Sequence, residues 1–281
     1  MGLPMSNNLI RSGYTLYGYD LDTNSKNKFL KNGGKISLTL KQLSSEVDCF
    51  ITMLPNGKIV KEIINKIIKY RDSNHIPTFI DMSSSSPIDT KKIFIKHKNK
   101  IYLIDAPVSG GVKKAIDGNL SIMVSGDKKK IKEIFPILKT MGSNVIQTGE
   151  LGSAHAMKAI NNYVSAAGLM ATMEALIIGK KFGINPKTVN KILNVSSGKN
   201  NSTENKIDQF VISKKYSSGF SLDLMSKDIN IAQDLSNKLE LNTLGLKFAA
   251  KYWKKAKIAS KANSDHTKIF EYINKISTKK N

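Results

Sequence analysis

The sequence predicts an α/β fold: a doubly wound, mostly parallel sheet followed by an all-helical domain. Three observations predict it. Up to about residue 150, short apolar runs of strand length alternate with helical patterns, the arrangement of a parallel sheet covered on both faces. From residue 151 onward the strand-like runs stop and one helical pattern follows another. The 281 residues suit two domains better than one core, divided here as 1–150 and 151–281.

Each element has its own signal. "MGLPMSNNLI" opens as a helix, with Pro4 in a permitted first-turn position, and "RSG" ends it with Gly13 as cap. "YTLYGYD" (14–20) is a β-like run that closes on an acid. Further strands are predicted at "KIS" (35–37), "DCFITML" (48–54), "TFIDMS" (78–83), "IYLIDAPV" (101–108), "LSIMVSG" (120–126) and "NVIQTG" (144–149). Helical segments such as "GKIVKEIINKIIKY" and "DKKKIKEIFPILKTMG" separate most of them. Residues 101–108 and 120–126 are joined by the short glycine-rich link "SGGVKKAIDGN", whose form the pattern leaves open. Beyond 150, "SAHAMKAINNYVSAAGLMATMEALIIGKKFG" reads as one long helix ending at Gly183, and its small residues permit close helix approach. "NPKTVNKILNVSSG", "STENKIDQFVISKKY", "FSLDLMSKDINIAQDLSNKLEL", "TLGLKFAAKYWKKAKIA" and "HTKIFEYINKIS" continue in helical pattern.

Composition excludes several classes. Hydrophobic residues make up 40%, which supports a globular chain. The single cysteine, Cys49, rules out an internal disulfide framework and a cysteine-built metal site, and four scattered histidines argue against structural zinc, so no metal is expected. The longest uncharged stretch, "AINNYVSAAGLMATM", is too short and too polar for a membrane span, and the first residues have no signal-peptide pattern. A soluble, cytoplasmic protein is expected. The net charge of +22 comes from 44 Lys and Arg against 22 Asp and Glu, nearly all of it lysine spread along the chain. With abundant Asn and Ile, this reads as coding bias and solvated surface rather than a nucleic-acid footprint, although such a field draws anionic substrates and dinucleotides.

Six windows hold residues suited to chemistry. Asp20, at the end of the first strand, has the placement of an acid that binds both hydroxyls of an adenosine ribose and repels the extra phosphate of NADP. Alone it reads as a turn-starting Asp; the preceding helix and Gly2 favour the cofactor role. "TMLPNG" and "DMSSSSP" follow strands at the edge where ligands sit in open α/β sheets, and one of the four serines suits a cap for the helix near Pro87. "DAPVSGG" (105–111) places two glycines after Ser109, so backbone N–H groups can converge on an anion, a carboxylate rather than a phosphate chain. In "GSAHAMKAINN", Lys158 and Asn162 stand at i,i+4 on one helix face, with His155 a turn earlier. Burial in such an Ala-rich helix lowers an ammonium pKa and lets it exchange a proton with a hydroxyl. The polar loop "SSGKNNSTENK" (196–206) suits contact with a larger or more polar acid.

Taken in order, "MGLPM", "YD", "TMLP", "DMSSSSP", "DAPVSGG", "GSAHAMKAINN" and "FSLDLMSKDINIA" resemble the β-hydroxyacid dehydrogenase family, over residues 1 to about 240. The resemblance implies a Rossmann-type domain and hydride transfer between NAD and a short 3-hydroxy acid of the 3-hydroxyisobutyrate type, giving a semialdehyde. It implies that Ser109, Gly110 and Gly111 bind the substrate carboxylate, that Lys158 is the general acid/base and that Asn162 positions the substrate. Gly2, Asp20, Leu54, Pro55 and Ser83 or Ser84 would lie along the cofactor, and Lys227, with Asp228, would reach its nicotinamide end. A homodimer or homotetramer is expected. 6-Phosphogluconate dehydrogenases carry Lys-x-x-His-Asn where this chain reads "KAINN", and imine reductases usually replace the lysine kept here as Lys158. The alternative is a truncated or degenerate relative, or a binding protein on the same fold; the retained Ser109, Lys158 and Asn162 argue against it.

One departure stands at the N-terminus. The family opens with a strand and Gly-x-Gly-x-Met-Gly, of which Met1 and Gly2 match the final pair. The resemblance therefore implies an N-terminally incomplete domain, lacking the central strand and two glycines of the pyrophosphate turn.

Overall fold

The computed structural model describes residues 1–71 and 75–278. By packing, the chain divides into two compact units, Met1–Lys158 and Ala159–Asn281.

In the first unit, α1 (Gly2–Arg11) buries Met5 and Leu9 and is followed by Gly13 at φ +87°. Strand β1 (Tyr17–Gly18) pairs in parallel with β2 (Lys35–Ile36) across α2 (Thr23–Lys31), whose N-terminus Asp22 caps by accepting from the Ser25 N–H. This strand is shorter than the apolar run predicts. After α3 (Leu40–Glu46) comes β3 (Cys49–Thr52), then α4 (Gly57–Tyr70), β4 (Thr78–Asp81), α5 (Pro87–Lys96) and β5 (Tyr102–Asp105). The strands β3, β4 and β5 lie parallel. The link left open by the sequence folds as β6 (Val108–Ser109) and a short helix α6 (Gly111–Ile116). It returns through β7 (Ser121–Ser125), which runs antiparallel to both β5 and β6. Helix α7 (Lys128–Met141) and β8 (Asn144–Gly149), parallel to β7, complete a six-stranded sheet. The β1–β2 pair forms a separate two-stranded sheet.

Side-chain alternation explains why helices cover both faces. In β4, Phe79 joins a cluster with Val60, Ile64 and Ile67 of α4, whereas its neighbour Ile80 joins Met5 and Leu9 of α1 and Leu138 of α7. Leu103 and Ile104 of β5 divide in the same way. Successive strand residues point to opposite faces, so each apolar strand feeds two cores. The sheet is therefore a doubly wound, Rossmann-like one.

The second unit is helical. Helix α8 spans Ser153–Phe182 and stops before Gly183, whose φ of +103° a residue with a side chain adopts only with strain. There follow α9 (Pro186–Val195), α10 (Asn201–Asn205), a π-helical segment (Ile207–Ile212), α11 (Leu222–Lys238), α12 (Leu244–Ala259), a 3₁₀ turn (His266–Lys268) and α13 (Ile269–Thr278). The single helix expected over "STENKIDQFVISKKY" is thus two pieces that break at Lys206. Trp253, Leu169, Ile229, Ile269 and Ile273 are fully buried at the centre of this unit. Among the described residues no helix is long and apolar enough to cross a membrane.

Candidate functional site

Strand register builds the first half of the site. Thr52 pairs with Asp81, Asp81 with Asp105, and Asp105 with Ser125. These four polar residues, at the ends of β3, β4 and β5 and in β7, form one row across the sheet, and all are buried. Register pairs share a face of the sheet, so the row is continuous. Thr52 Oγ1 donates to Asp81 Oδ1 at 2.9 Å, and Ser85 Oγ donates to Asp81 Oδ2 at 2.7 Å. Asp105 Oδ1 accepts the Gly152 N–H at 2.9 Å and the Ser125 hydroxyl, and Oδ2 accepts the His155 N–H at 2.8 Å. Asp105 therefore caps the start of α8 from a neighbouring strand, where a carboxylate meets the positive end of the helix.

His155 closes the network from the first turn of α8. Its Nε2–H donates to the Ser83 carbonyl at 3.1 Å, and Nδ1 meets Thr90 Oγ1 at 2.8 Å. The ring is 1% exposed, with Asp81 and Asp105 oxygens 3.6 and 3.7 Å from its nitrogens. Burial this complete is tolerated because every polar atom of the ring faces a partner. Lys158, three residues further along α8, is half-buried.

The loops after β3 and β4 are tied to each other. The Leu54 N–H donates to Ser83 Oγ at 2.9 Å. Ser83 is buried and Ser84 half-buried, while Pro55 is exposed. Capping accounts for less of "SSSS" than expected: Ser86 sits at the N-cap of α5 but makes no side-chain cap bond, while Ser83 and Ser85 face inward. Ser109 ends β6 opposite Ser121 and is half-buried. Gly110 and Gly111 have φ of +137° and +70°. A Cβ on Gly110 would come within 2.7 Å of Lys114, so neither backbone nor space admits a side chain there. Asp20 lies just past β1, exposed, and its Oδ1 accepts the Asp22 N–H at 2.9 Å, so the turn-starting role is present. Gly2 begins α1, whose first turn carries no acidic residue.

The second unit holds the remaining candidates together. Asn162 is 6% exposed, and its Nδ2 donates to Asp228 Oδ2 at 2.6 Å. Lys227 Nζ lies 3.3 Å from Asp228 Oδ1. Asp228, expected along the cofactor, is itself buried and bonds both neighbours, a geometry suited to orienting Asn162 and Lys227.

Sequence reasoning overlooked Asp81 and Asp105. Their only signal is that two predicted strands, "TFID" and "YLID", end alike in Ile-Asp. Among the described residues, no group of three or more His, Cys, Asp or Glu could hold a metal ion.

Two family models match the chain. Residues 1–149 match the NAD binding domain of 6-phosphogluconate dehydrogenase, and residues 152–273 match the NAD-binding domain of NADP-dependent 3-hydroxyisobutyrate dehydrogenase. A 2-(hydroxymethyl)glutarate dehydrogenase of Eubacterium barkeri is 33% identical, over 83% of this chain and 78% of its own length. The mitochondrial 3-hydroxyisobutyrate dehydrogenase of Bos taurus is 32% identical, over 97% of this chain and 84% of its own. Among solved structures, the Mycobacterium tuberculosis 3-hydroxyisobutyrate dehydrogenase with L-serine superposes with a TM-score of 0.88 at 27% identity, covering 97% of this chain and 95% of that one.

Proposed function

The chain belongs to the β-hydroxyacid dehydrogenase family, and from that premise we propose that it oxidises a short 3-hydroxy acid of the 3-hydroxyisobutyrate type to the semialdehyde, with NAD as hydride acceptor. Hydroxyacid dehydrogenase activity with NAD or NADP, of the broad alcohol-oxidising class, is common ground with its relatives; the substrate, the lysine and the choice of NAD are our reading.

Residues on α1 and after β1 fit parts of a dinucleotide. The acid-free first turn of α1, opened by Gly2, suits a pyrophosphate, and the exposed Asp20 suits a ribose. Leu54, Pro55 and Ser83 or Ser84 follow β3 and β4, at the strand ends where a dinucleotide lies in open α/β sheets, and the Ser83 hydroxyl accepts the Leu54 N–H. When bound, the nicotinamide takes the hydride from the alcohol carbon. The chain's own work is positioning and proton transfer. Ser109 and the N–H groups of Gly110 and Gly111 bind the carboxylate. Lys158, as the neutral amine, takes the hydroxyl proton as the C–H bond breaks. Asn162, held by Asp228, orients the hydroxyl-bearing end, and the family resemblance gives Lys227 its role with the nicotinamide.

The observation that most supports this reading is the anchoring of α8. The turn just before Lys158 is fixed by a buried carboxylate and a buried imidazole, while Lys158 itself stays half-buried. Structural stability alone does not call for a rigid support beneath a single lysine; a proton-transfer group does. The test is NADH formation by the purified protein with a panel of short 3-hydroxy acids. Turnover with 3-hydroxyisobutyrate or a near homologue is the expected result, and no turnover with any of them overturns the reading.

Cofactor choice gives a second prediction. Asp20→Ser is expected to raise KM for NAD by roughly 10–100-fold, as for loss of a charged hydrogen bond, and to narrow the gap to NADP. Parallel kinetics with the two cofactors check it; an unchanged NAD to NADP ratio would leave Asp20 with only its turn. The protein is also proposed to act as a homodimer or homotetramer, which light scattering in solution would test.

A further inference from the structure

We propose that the outer face of α12 is a docking surface for anionic phospholipid bilayers, which holds the protein reversibly at a membrane surface. The proposal is independent of the dehydrogenase reading above and needs no spanning helix.

Helix α12 has two faces. Leu246, Ala249, Ala250, Trp253 and Ala256 are buried in the core of the second unit. Leu244, Phe248, Lys251, Lys255 and Ile258 follow one another at steps of three and four residues, so they share the opposite face. That face is not the purely polar one of a solvated helix. Leu244, Phe248 and Ile258 are 71%, 56% and 77% exposed, and Leu241, in the turn that leads into the helix, is exposed as well.

The charge on this face has one sign. From Leu241 to Ser264 the chain holds six lysines and no Asp, Glu or Arg. Among the described residues Lys251, Lys254 and Lys255 make no ion pair, whereas Lys257, at the side of the stripe, lies 3.3 Å from Asp223. Exposed ammonium groups interleaved with large apolar side chains complement a membrane interface. The lysines meet lipid phosphates and carboxylates, and Leu244, Phe248 and Ile258 enter the acyl boundary beside the lysine stems. Lysine content alone does not single out α12. Helix α7 exposes Lys128, Lys129 and Lys132, but none of its large apolar side chains is exposed, and Glu133 lies among its lysines. A second copy of the chain suits the α12 face poorly, because a two-fold contact sets a patch against itself and brings lysine against lysine. A nucleic acid takes up the lysines through its phosphates but leaves the three apolar side chains in water.

The test is co-sedimentation of the full chain with vesicles of mixed phosphatidylserine and phosphatidylcholine and with vesicles of phosphatidylcholine alone. Binding is expected to the first and not to the second, and it should weaken as salt rises. At about fivefold per lysine, the usual attraction to an anionic leaflet, Lys251→Gln with Lys255→Gln should lower the partition coefficient roughly 25-fold. Leu244→Gln with Phe248→Gln keeps the charge and should lower it by at least roughly tenfold, the lost burial of two large side chains. All four positions are exposed, so thermal melting should stay at the wild-type value. Lys128→Gln with Lys129→Gln removes the same charge from α7 and should change partition far less. Failure to bind the anionic vesicles, equal binding to both kinds, equal loss from the α7 pair, or no loss from the apolar pair each overturns the proposal. Two further results overturn it in favour of another occupant. Duplex DNA binding that needs Lys251 and Lys255 but not Leu244 and Phe248, without vesicle binding, assigns the face to nucleic acid. A dimer that dissociates in the apolar pair, without vesicle binding, assigns it to a second copy.

Discussion

Lys158→Ala is expected to lower kcat by about 10³-fold, within the range that a positioned acid/base contributes, while NAD still binds. The hydroxyl proton must leave as the carbonyl forms, and Lys158 is the group proposed to take it. The lysine is half-buried on α8, one turn beyond the anchored His155. Loss of a group acting in the transition state lowers kcat and kcat/KM together, whereas loss of a group that only binds substrate raises KM. Lys158→Arg should not rescue, because a guanidinium does not give up its proton at working pH. Small primary amines added to Lys158→Ala should recover part of the rate. NAD affinity, followed by nicotinamide fluorescence or calorimetry, should remain near wild type. A kcat within tenfold of wild type in Lys158→Ala would remove the lysine from the mechanism.

The elements were legible in the sequence to the extent that periodicity states which face is buried. Alternation at Phe79–Ile80 and Leu103–Ile104 announces a sheet covered on both sides, and the small-residue helix ends at Gly183 as read. Periodicity does not state which strands are neighbours. The row Thr52–Asp81–Asp105–Ser125 exists only through register between strands as many as 73 residues apart (Thr52 to Ser125), so each member looked like an isolated polar residue. Asp105 was read as the first letter of a glycine loop, and its capping of α8 stayed hidden. "DMSSSSP" shows the same limit: a run of identical residues divides into inward Ser83 and Ser85 and a half-buried Ser84 only once Asp81 and Leu54 are in place. The break at Lys206 was likewise missed, because the hydrophobic pattern continues through it while the backbone widens to a π-helix. Such segments gather at functional positions, and the side chain at this break is the one that reaches Ser165.

Asp105→Ala should be the most destabilising substitution in the site, by about 3–5 kcal/mol, the range for breaking a buried charged network from one side. Three buried donors lose their acceptor at once: the N–H groups of Gly152 and His155 and the hydroxyl of Ser125. Ser125 Oγ in turn accepts the Ala154 N–H at 3.1 Å, so the first turn of α8 loses direct and relayed support together. At roughly 2–4 °C per kcal/mol for a protein of this size, thermal melting should shift down by roughly 6–20 °C. Asp105→Asn keeps one good acceptor but turns its amide N–H₂ toward groups that are themselves donors, so its loss should be smaller yet still measurable. The same change should reach chemistry, because Lys158 stands on the turn that Asp105 anchors. Assayed well below its melting temperature, Asp105→Asn should lose more in kcat than in KM for NAD. A melting shift under about 2 °C in Asp105→Ala, small on the same scale, would mean that α8 is held by packing alone and that the polar row serves neither its stability nor the lysine it presents.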